Sequence, residues 1–300
     1  MALTTSNVKM TAVKSFFEGM NLAGETWKQW SAYTTEDTPS LRIAALTGID
    51  DISSWDGAAD LTTKAIDSTG ASTLSYAGYG ISVQIGKFDV IDTPGIVQQA
   101  SRKLGLAVGY KYDSLAYSNL NNCFSSATTA DGKALFAADH TTQSGVARDN
   151  LTSAAFSQAN LMDQIRKLRV FVNYQNQYTN YGDRPLVLIV HPKNEKAAIE
   201  ALRSSFSADT ALGGYTAMQT NALGSFSISL VVSSHMADQD DWVVTTADVE
   251  DGPFRLWSRS APNYTIDTDE DNRKVKIGVD FACVAGLGPQ PDGCMGANVA

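Results

Sequence analysis

The chain has 300 residues, 43% of them hydrophobic and 18% charged, a globular composition that argues against long disorder and allows one large domain or two ordinary ones. Its formal charge is −9, with no basic run, which excludes a protein that binds nucleic acid by neutralising phosphates with clustered Lys and Arg. The longest apolar runs, such as Leu186 to Val190, fall far short of the roughly 18 residues of a membrane helix.

Residues Ser6 to Met20 read as a short amphipathic helix, with Met10, Val13, Phe17 and Met20 on one face. Such a helix either docks on its own domain or lies across a neighbour. Trp27, Trp30 and Tyr33 follow and need burial. Lys9, Lys14 and Glu18 break up the N-terminal segment before an apolar core forms, so no secretory leader is expected.

From about 46 to 80, Thr, Ser, Gly and Asp dominate. Asp56-Gly57 and Ser68 to Ser72 are turn signals, flanked by Ile49, Ile52 and Trp55 before and Leu74 and Tyr76 after. This predicts a long two-stranded excursion with little core of its own. An isolated hairpin is marginal in water, so it packs on its own domain or on a partner subunit. Lys64, alone in this segment, reads as an exposed lysine or as a contact between subunits.

Ile81, Val83 and Ile85 then alternate with polar or small residues, and Phe88 and Val90 continue the spacing after a one-residue shift; the pattern predicts a strand. Thr93 offers an N-cap and Pro94 fits a first helical position. Val97, Ala100, Leu104, Val108, Tyr112, Leu115, Ala116 and Leu120 continue at spacings of three and four with few gaps, which predicts one uninterrupted helix of about 40 Å.

A loop from Ser125 to Asn150 precedes a helix expected at about 153–172, with Leu161, Ile165, Leu168 and Val172 buried. Leu186 to Val190, closed by Pro192, reads as a strand buried on both faces. The next helix should bury Ile199, Leu202 and Phe206. Phe226 to Val232 and Trp242 to Val244 are strand candidates. Val275, Ile277, Val279, Phe281 and Cys283 form the cleanest alternation, paired across the acidic turn 267–272 with residues 263–268.

Chemistry is sparse. Cys123, Cys283 and Cys294 have no metal spacing and read as reduced thiols. His140, His191 and His235 lie in separate segments. His140 beside Asp139 invites a general acid/base reading, with a surface loop histidine as the plain alternative. The run from Asp267 fails the calcium-loop pattern at Asn272 and Gly278. No catalytic, cofactor or metal site is expected, and an assembly protein is.

The order of elements resembles the major capsid proteins of tailed bacteriophages, the Hong Kong 97-type fold. Asp131 to Phe136, then His140 and Asn150-Leu151, is similar to a segment in relatives of the Mu-like major head subunit. Leu186 to Pro192, Asn221 to Gly224 and Lys274 to Cys283 resemble further stretches in the same order. The resemblance implies an α+β fold with an N-terminal arm (1–45), an extended β-hairpin loop (46–86), a peripheral domain carrying the spine helix and returning strand (87–175 and 264–300), and a mixed α/β axial domain (176–263). It implies a non-enzymatic shell subunit that assembles with itself into hexamers and pentamers around phage DNA touched without sequence readout. The resemblance further implies no membrane role, a separate scaffolding protein or none, portal and decoration proteins as further partners, and a virion assembled in the host bacterial cytoplasm. Phe17, Trp27, Trp30, Trp55, Lys64 and Tyr76 are the candidate contacts between subunits. A shell-forming compartment of encapsulin type, a tail component, or a hydrolase using His140 are the competing readings.

Overall fold

A computed structural model of the protein describes residues 5–47, 67–93, 95–204, 206–209, 217–250, 252–269 and 274–299. The chain opens with helix α1 (Thr5–Leu22), strand β1 (Ala32–Thr35) and the ribbon β2 (Ser40–Thr47) and β3 (Asp67–Ser75). Strand β4 (Ala77–Gly86), the short helix α2 (Lys87–Asp92) and the spine helix α3 (Ile96–Asn122) follow. Next come the two-residue strands β5 (His140–Thr141), β6 (Ala147–Arg148) and β7 (Leu151–Thr152), then α4 (Gln158–Val170), β8 (Leu186–Val190) and α5 (Glu195–Arg203). The chain continues through β9 (Phe206–Asp209), β10 (Ala217–Thr220), β11 (Ile228–Val232) and β12 (Trp242–Thr246). It ends with the long pair β13 (Phe254–Asp269) and β14 (Lys274–Leu287), and with β15 (Cys294–Ala297).

Two sheets organise these elements. The first has the order β1-β13-β14-β4, with β14 antiparallel to both neighbours. Val275 sits opposite Thr268 and Ile277 opposite Ile266, the hairpin expected across the acidic turn. Both strands run well beyond the predicted span, and β13 shifts register around Pro262, which has no N–H to give the ladder. The second sheet has the order β11-β8-β12-β15-β7. Its strand β8 is buried on both faces, as its unbroken apolar run requires: Val187 and Ile189 enter the main core, while Leu186, Leu188 and Val190 face a second core with α4 and α5. Leu161, Ile165 and Leu168 of α4 are fully buried there, as predicted. On α5 the fully enclosed residues are Ala198 and Ala201, with Leu202 packed at the edge; Phe206 lies in β9. Strand β15 pairs with β12 in this second sheet, whereas the sequence reading groups residues 264–300 with the spine.

The spine helix is the predicted element most fully realised. Val97, Leu104, Val108, Tyr112, Ala116 and Leu120 are all buried along it. It begins two residues later than the Thr93 cap implies: the cap position is Gly95, whose φ of 86° lies in the left-handed region that favours glycine. Pro94 lies outside the described residues. Phe88 and Val90 do not extend the strand, because Gly86 ends it and 87–92 turn into α2. Six residues can satisfy both the strand and the helix period, and Asp89 in the first turn suits the positive end of a helix.

Helix α1 docks on the spine through small residues. Ser101, Gly105 and Gly109, four apart, are buried on one face of α3. A Cβ added at Gly105 would stand 2.0 Å from the Phe16 carbonyl oxygen, and one at Gly109 would stand 2.3 Å from Ala23 Cβ. On α1, Gly19 likewise sits against the Arg102 carbonyl. The two backbones therefore touch with no side chain between them. Ala12 and Phe16, both at 0% exposure, fill the seam, and the Phe16 ring reaches Tyr264 at 5.0 Å between centroids. Of the predicted apolar face, Met10, Val13 and Phe17 point outward, the arrangement open to a neighbour, while Met20 packs against the core.

Candidate assembly surface

The most convergent polar cluster lies in the loop after the spine. Asp131 Oδ2 meets His140 Nδ1 at 2.6 Å, and Thr129 donates to Asp131 Oδ1 at 2.6 Å. His140 Nε2 faces the Leu135 carbonyl at 3.0 Å, which also accepts from Asn150 Nδ2 at 2.8 Å. Arg148, paired with His140 across β5–β6, donates to Asp292 at 3.0 Å and Gln290 at 3.2 Å. Gly296 N–H donates to the Asn150 carbonyl, so this loop is sewn to the segment leading into β15. The predicted partner Asp139 is turned away to Lys133 at 2.9 Å; the carboxylate on His140 is Asp131.

Electrostatics in this cluster follow burial and pairing. Burial pushes Asp131 up, but the hydrogen bonds from His140 and Thr129 outweigh it and hold its carboxyl well below the usual range. Burial dominates at Asp292, which stands at about 6 despite Arg148 beside it. His140 is completely enclosed, and both of its ring nitrogens face acceptors. Enclosed in this way, His140 ties Asp131 to the Leu135 carbonyl and clamps the loop. On the spine, burial also raises the Asp113 carboxyl, partly offset by His235 and the Trp27 backbone N–H. His191 Nδ1 accepts from the Lys193 N–H at 3.1 Å and caps a single turn, a local role. The three thiols are buried and free, and burial raises each of them, Cys283 to about 12. Among the described residues no group of three or more His, Cys, Asp or Glu could hold a metal, and no helix is long and apolar enough to cross a membrane.

The surface holds more than the interior does. Of the predicted contact residues, Trp27 and Trp30 are each 1% exposed in the single subunit. Trp30 packs edge-on against Tyr117 and Phe254, and Trp27 against Tyr33 and Tyr112. Their surface is already covered by their own chain, which corrects the expectation that a neighbour buries them. Tyr76 is half-buried at the junction of β3 and β4. Trp55 and Lys64 lie outside the described residues. Phe17 is 46% exposed, beside Met10 at 72%. Two further exposed side chains, Phe88 and Ile91 on α2, escape the sequence reading because that segment passes for a strand. The ribbon β2–β3 is a sheet of only two strands, tied at its base where Leu74 lies over Gly286.

A spine helix beside a sheet of long strands, an arm helix, a two-stranded ribbon and a second α/β core define a shell subunit of the Hong Kong 97 type. The family model described as phage capsid protein matches residues 68–294, and the chain belongs to that family. Its role is that of a major capsid protein, which places it in the virion. Solved structures agree in fold. The virus-like particle from Pyrococcus furiosus is 11% identical, with 95% of this chain and 96% of that one covered at a TM-score of 0.55. The capsid of cyanophage P-SCSP1u is 12% identical over 90% and 86% at 0.60, and the procapsid of bacteriophage JBD30 is 14% identical over 100% and 76% at 0.55. At these identities the likeness is one of fold. A search of curated proteins found no match.

Proposed function

We propose that the subunit assembles with copies of itself into hexamers and pentamers that close an icosahedral head around phage DNA, and that it has no catalytic activity. The observation that carries the reading is the β2–β3 ribbon, which among the described residues is a sheet of two strands that meets β14 through β3. Such a ribbon is marginal alone and gains its stability when it lies on a neighbour. Residues 1–45 act as the arm, which ends within β2, and residues 46–86, with β3, as the extended loop; the spine with β13 and β14 acts as the peripheral domain, and 176–263 as the axial domain. Strand β15, which pairs with β12, belongs with that last part. Phe17 and Tyr76 with Trp55 and Lys64 remain the proposed contacts. The acidic chain faces DNA without adhering to it, and assembly takes place in the bacterial cytoplasm with scaffolding, portal or decoration proteins as further partners.

Electron microscopy of the purified protein, with sedimentation, tests this. Closed shells or five- and six-fold rings are expected; a subunit that stays monomeric under every assembly condition, with its ribbon already ordered, refutes it. The holo-SrpI encapsulin complex from Synechococcus elongatus, similar in fold at a TM-score of 0.51, keeps one second reading, an encapsulin-like compartment, and the contents of purified shells decide between nucleic acid and an enzyme cargo.

A further inference from the structure

Among the described residues, α1 and α2 carry two unlike exposed apolar patches. On α1, Met10, Val13 and Phe17 are 72%, 37% and 46% exposed, and their spacing of three and four lines them up along the helix. Lys9 and Lys14, both exposed, fall on opposite borders of that stripe; Glu18 stands 3.8 Å from Lys14 and is the one acidic side chain of the helix. On α2, Phe88 and Ile91 are 70% and 63% exposed and share a face, each followed by an exposed aspartate, Asp89 and Asp92. The sequence of α2 sets these two acids against one base, Lys87.

We propose that the α1 stripe of one subunit seats on the α2 knob of a second copy, with Lys9 and Lys14 meeting Asp89 and Asp92 around the apolar contact. The inference rests on the self-assembly reading and adds to it the pair of surfaces and their polarity. Charge decides the pairing. Two α1 stripes face to face would set lysine against lysine, and two α2 knobs aspartate against aspartate, so each patch rejects its own kind. A contact between different patches on identical molecules runs head to tail, and it closes into a ring when the rotation between neighbours allows. Within the subunit α1 lies on the spine while Phe88 and Ile91 stay in solvent, so the stripe and the knob are both free for a neighbour. Exposed apolar clusters of this kind mark interaction sites.

Cysteine pairs test the contact, because the three native thiols are buried and give little background. Subunits carrying both Phe17→Cys and Phe88→Cys, assembled and treated with a short bis-maleimide, should give a ladder of covalent oligomers on a denaturing gel. Either single variant should stay monomeric. Charge exchange is a second, independent arm: Lys14→Asp or Asp92→Lys alone should lower the yield of shells about tenfold, the effect of roughly 1.4 kcal/mol at the contact. The two together should restore most of it. All four side chains are exposed, so these variants fold as the wild type does. Wild-type shells with no ladder from the double cysteine variant, dimers from Phe17→Cys alone, or no recovery in the combined charge variant would each overturn this inference and leave self-assembly standing. A wild-type chain that forms no shells at all sinks both.

Discussion

Placing a single methyl on the spine at Gly105 sets two well-known effects against each other. Alanine favours a helix interior over glycine by about 1 kcal/mol, so propensity alone predicts that Gly105→Ala stabilises α3. The added Cβ, however, would stand 2.0 Å from the Phe16 carbonyl oxygen and 2.8 Å from the Met20 nitrogen, and both are backbone atoms of α1. Neither can rotate away, so α1 must retreat by about 1 Å or more along its whole contact. Overpacking of this kind costs about 1–3 kcal/mol. The retreat also loosens Phe16, whose complete burial contributes about 1.5–3 kcal/mol. Subtracting the propensity gain leaves about 0–2 kcal/mol, and partial loss of the Phe16 burial adds about 1 kcal/mol, so Gly105→Ala should destabilise the subunit by about 1–3 kcal/mol. Gly105→Leu should release α1 outright. Urea unfolding gives the stability change, and trypsin cleavage after Lys9 and Lys14 reports whether α1 is still docked. A Gly105→Ala protein with an equal or higher urea midpoint and unchanged cleavage would refute the backbone-contact argument.

Trp30→Ala should lower stability by about 3–5 kcal/mol, because its ring is enclosed by Tyr117 and Phe254, while Phe17→Ala should change the urea midpoint of the free subunit very little and lower the yield of shells. Asn221→Ala removes a buried side chain that donates to the carbonyls of Ala201 and Ser204 and accepts from the Leu223 N–H and from Gln158, and it should cost about 2–4 kcal/mol in the same assay. Asp131 has a depressed native pKa, so the stability it contributes is fully present above the ordinary aspartate value of about 4 and is lost as pH falls through the native value; Asp131→Asn should flatten that acid limb of the stability–pH curve measured by urea midpoints. The thiols of Cys123, Cys283 and Cys294 should react with a thiol reagent only after unfolding; rapid modification of the native subunit would contradict their burial.

The sequence disclosed those elements whose signal is local and long. The spine, the β13–β14 hairpin and the buried β8 each carry a period sustained over enough residues to exclude the alternative. Helix α1 is legible as a helix, while its apolar spacing leaves open whether that face docks or meets a neighbour: the seam with α3 is made of Ser101, Gly105 and Gly109, which carry no hydrophobic signal. The four-residue spacing of those three small side chains is the clue that could have given it. Segment 87–92 passes for a strand because six residues are too few for the two periods to separate, which hides the exposed Phe88 and Ile91. The Asp131–His140 pair joins residues nine apart through the path of a loop, which no local pattern encodes, so adjacency made Asp139 the natural candidate. Trp27 and Trp30 were rightly marked as needing cover, but what covers them, Tyr117, Phe254 and Tyr112, lies far along the chain.

The strand order has a consequence for how this protein comes off the ribosome. Strand β4 has one partner in its sheet, β14, which is synthesised about 190 residues later. In the other sheet β15, made later still, stands between β12 and the short β7. Neither sheet can close until residues 274–297 have emerged, and pairings that distant in sequence form slowly. A nascent chain therefore carries its exposed α1 and α2 before it has the body to hold them in register. Strands β14 and β15 act as a release: until both have emerged, a growing chain lacks the two sheets from which a shell contact would be made.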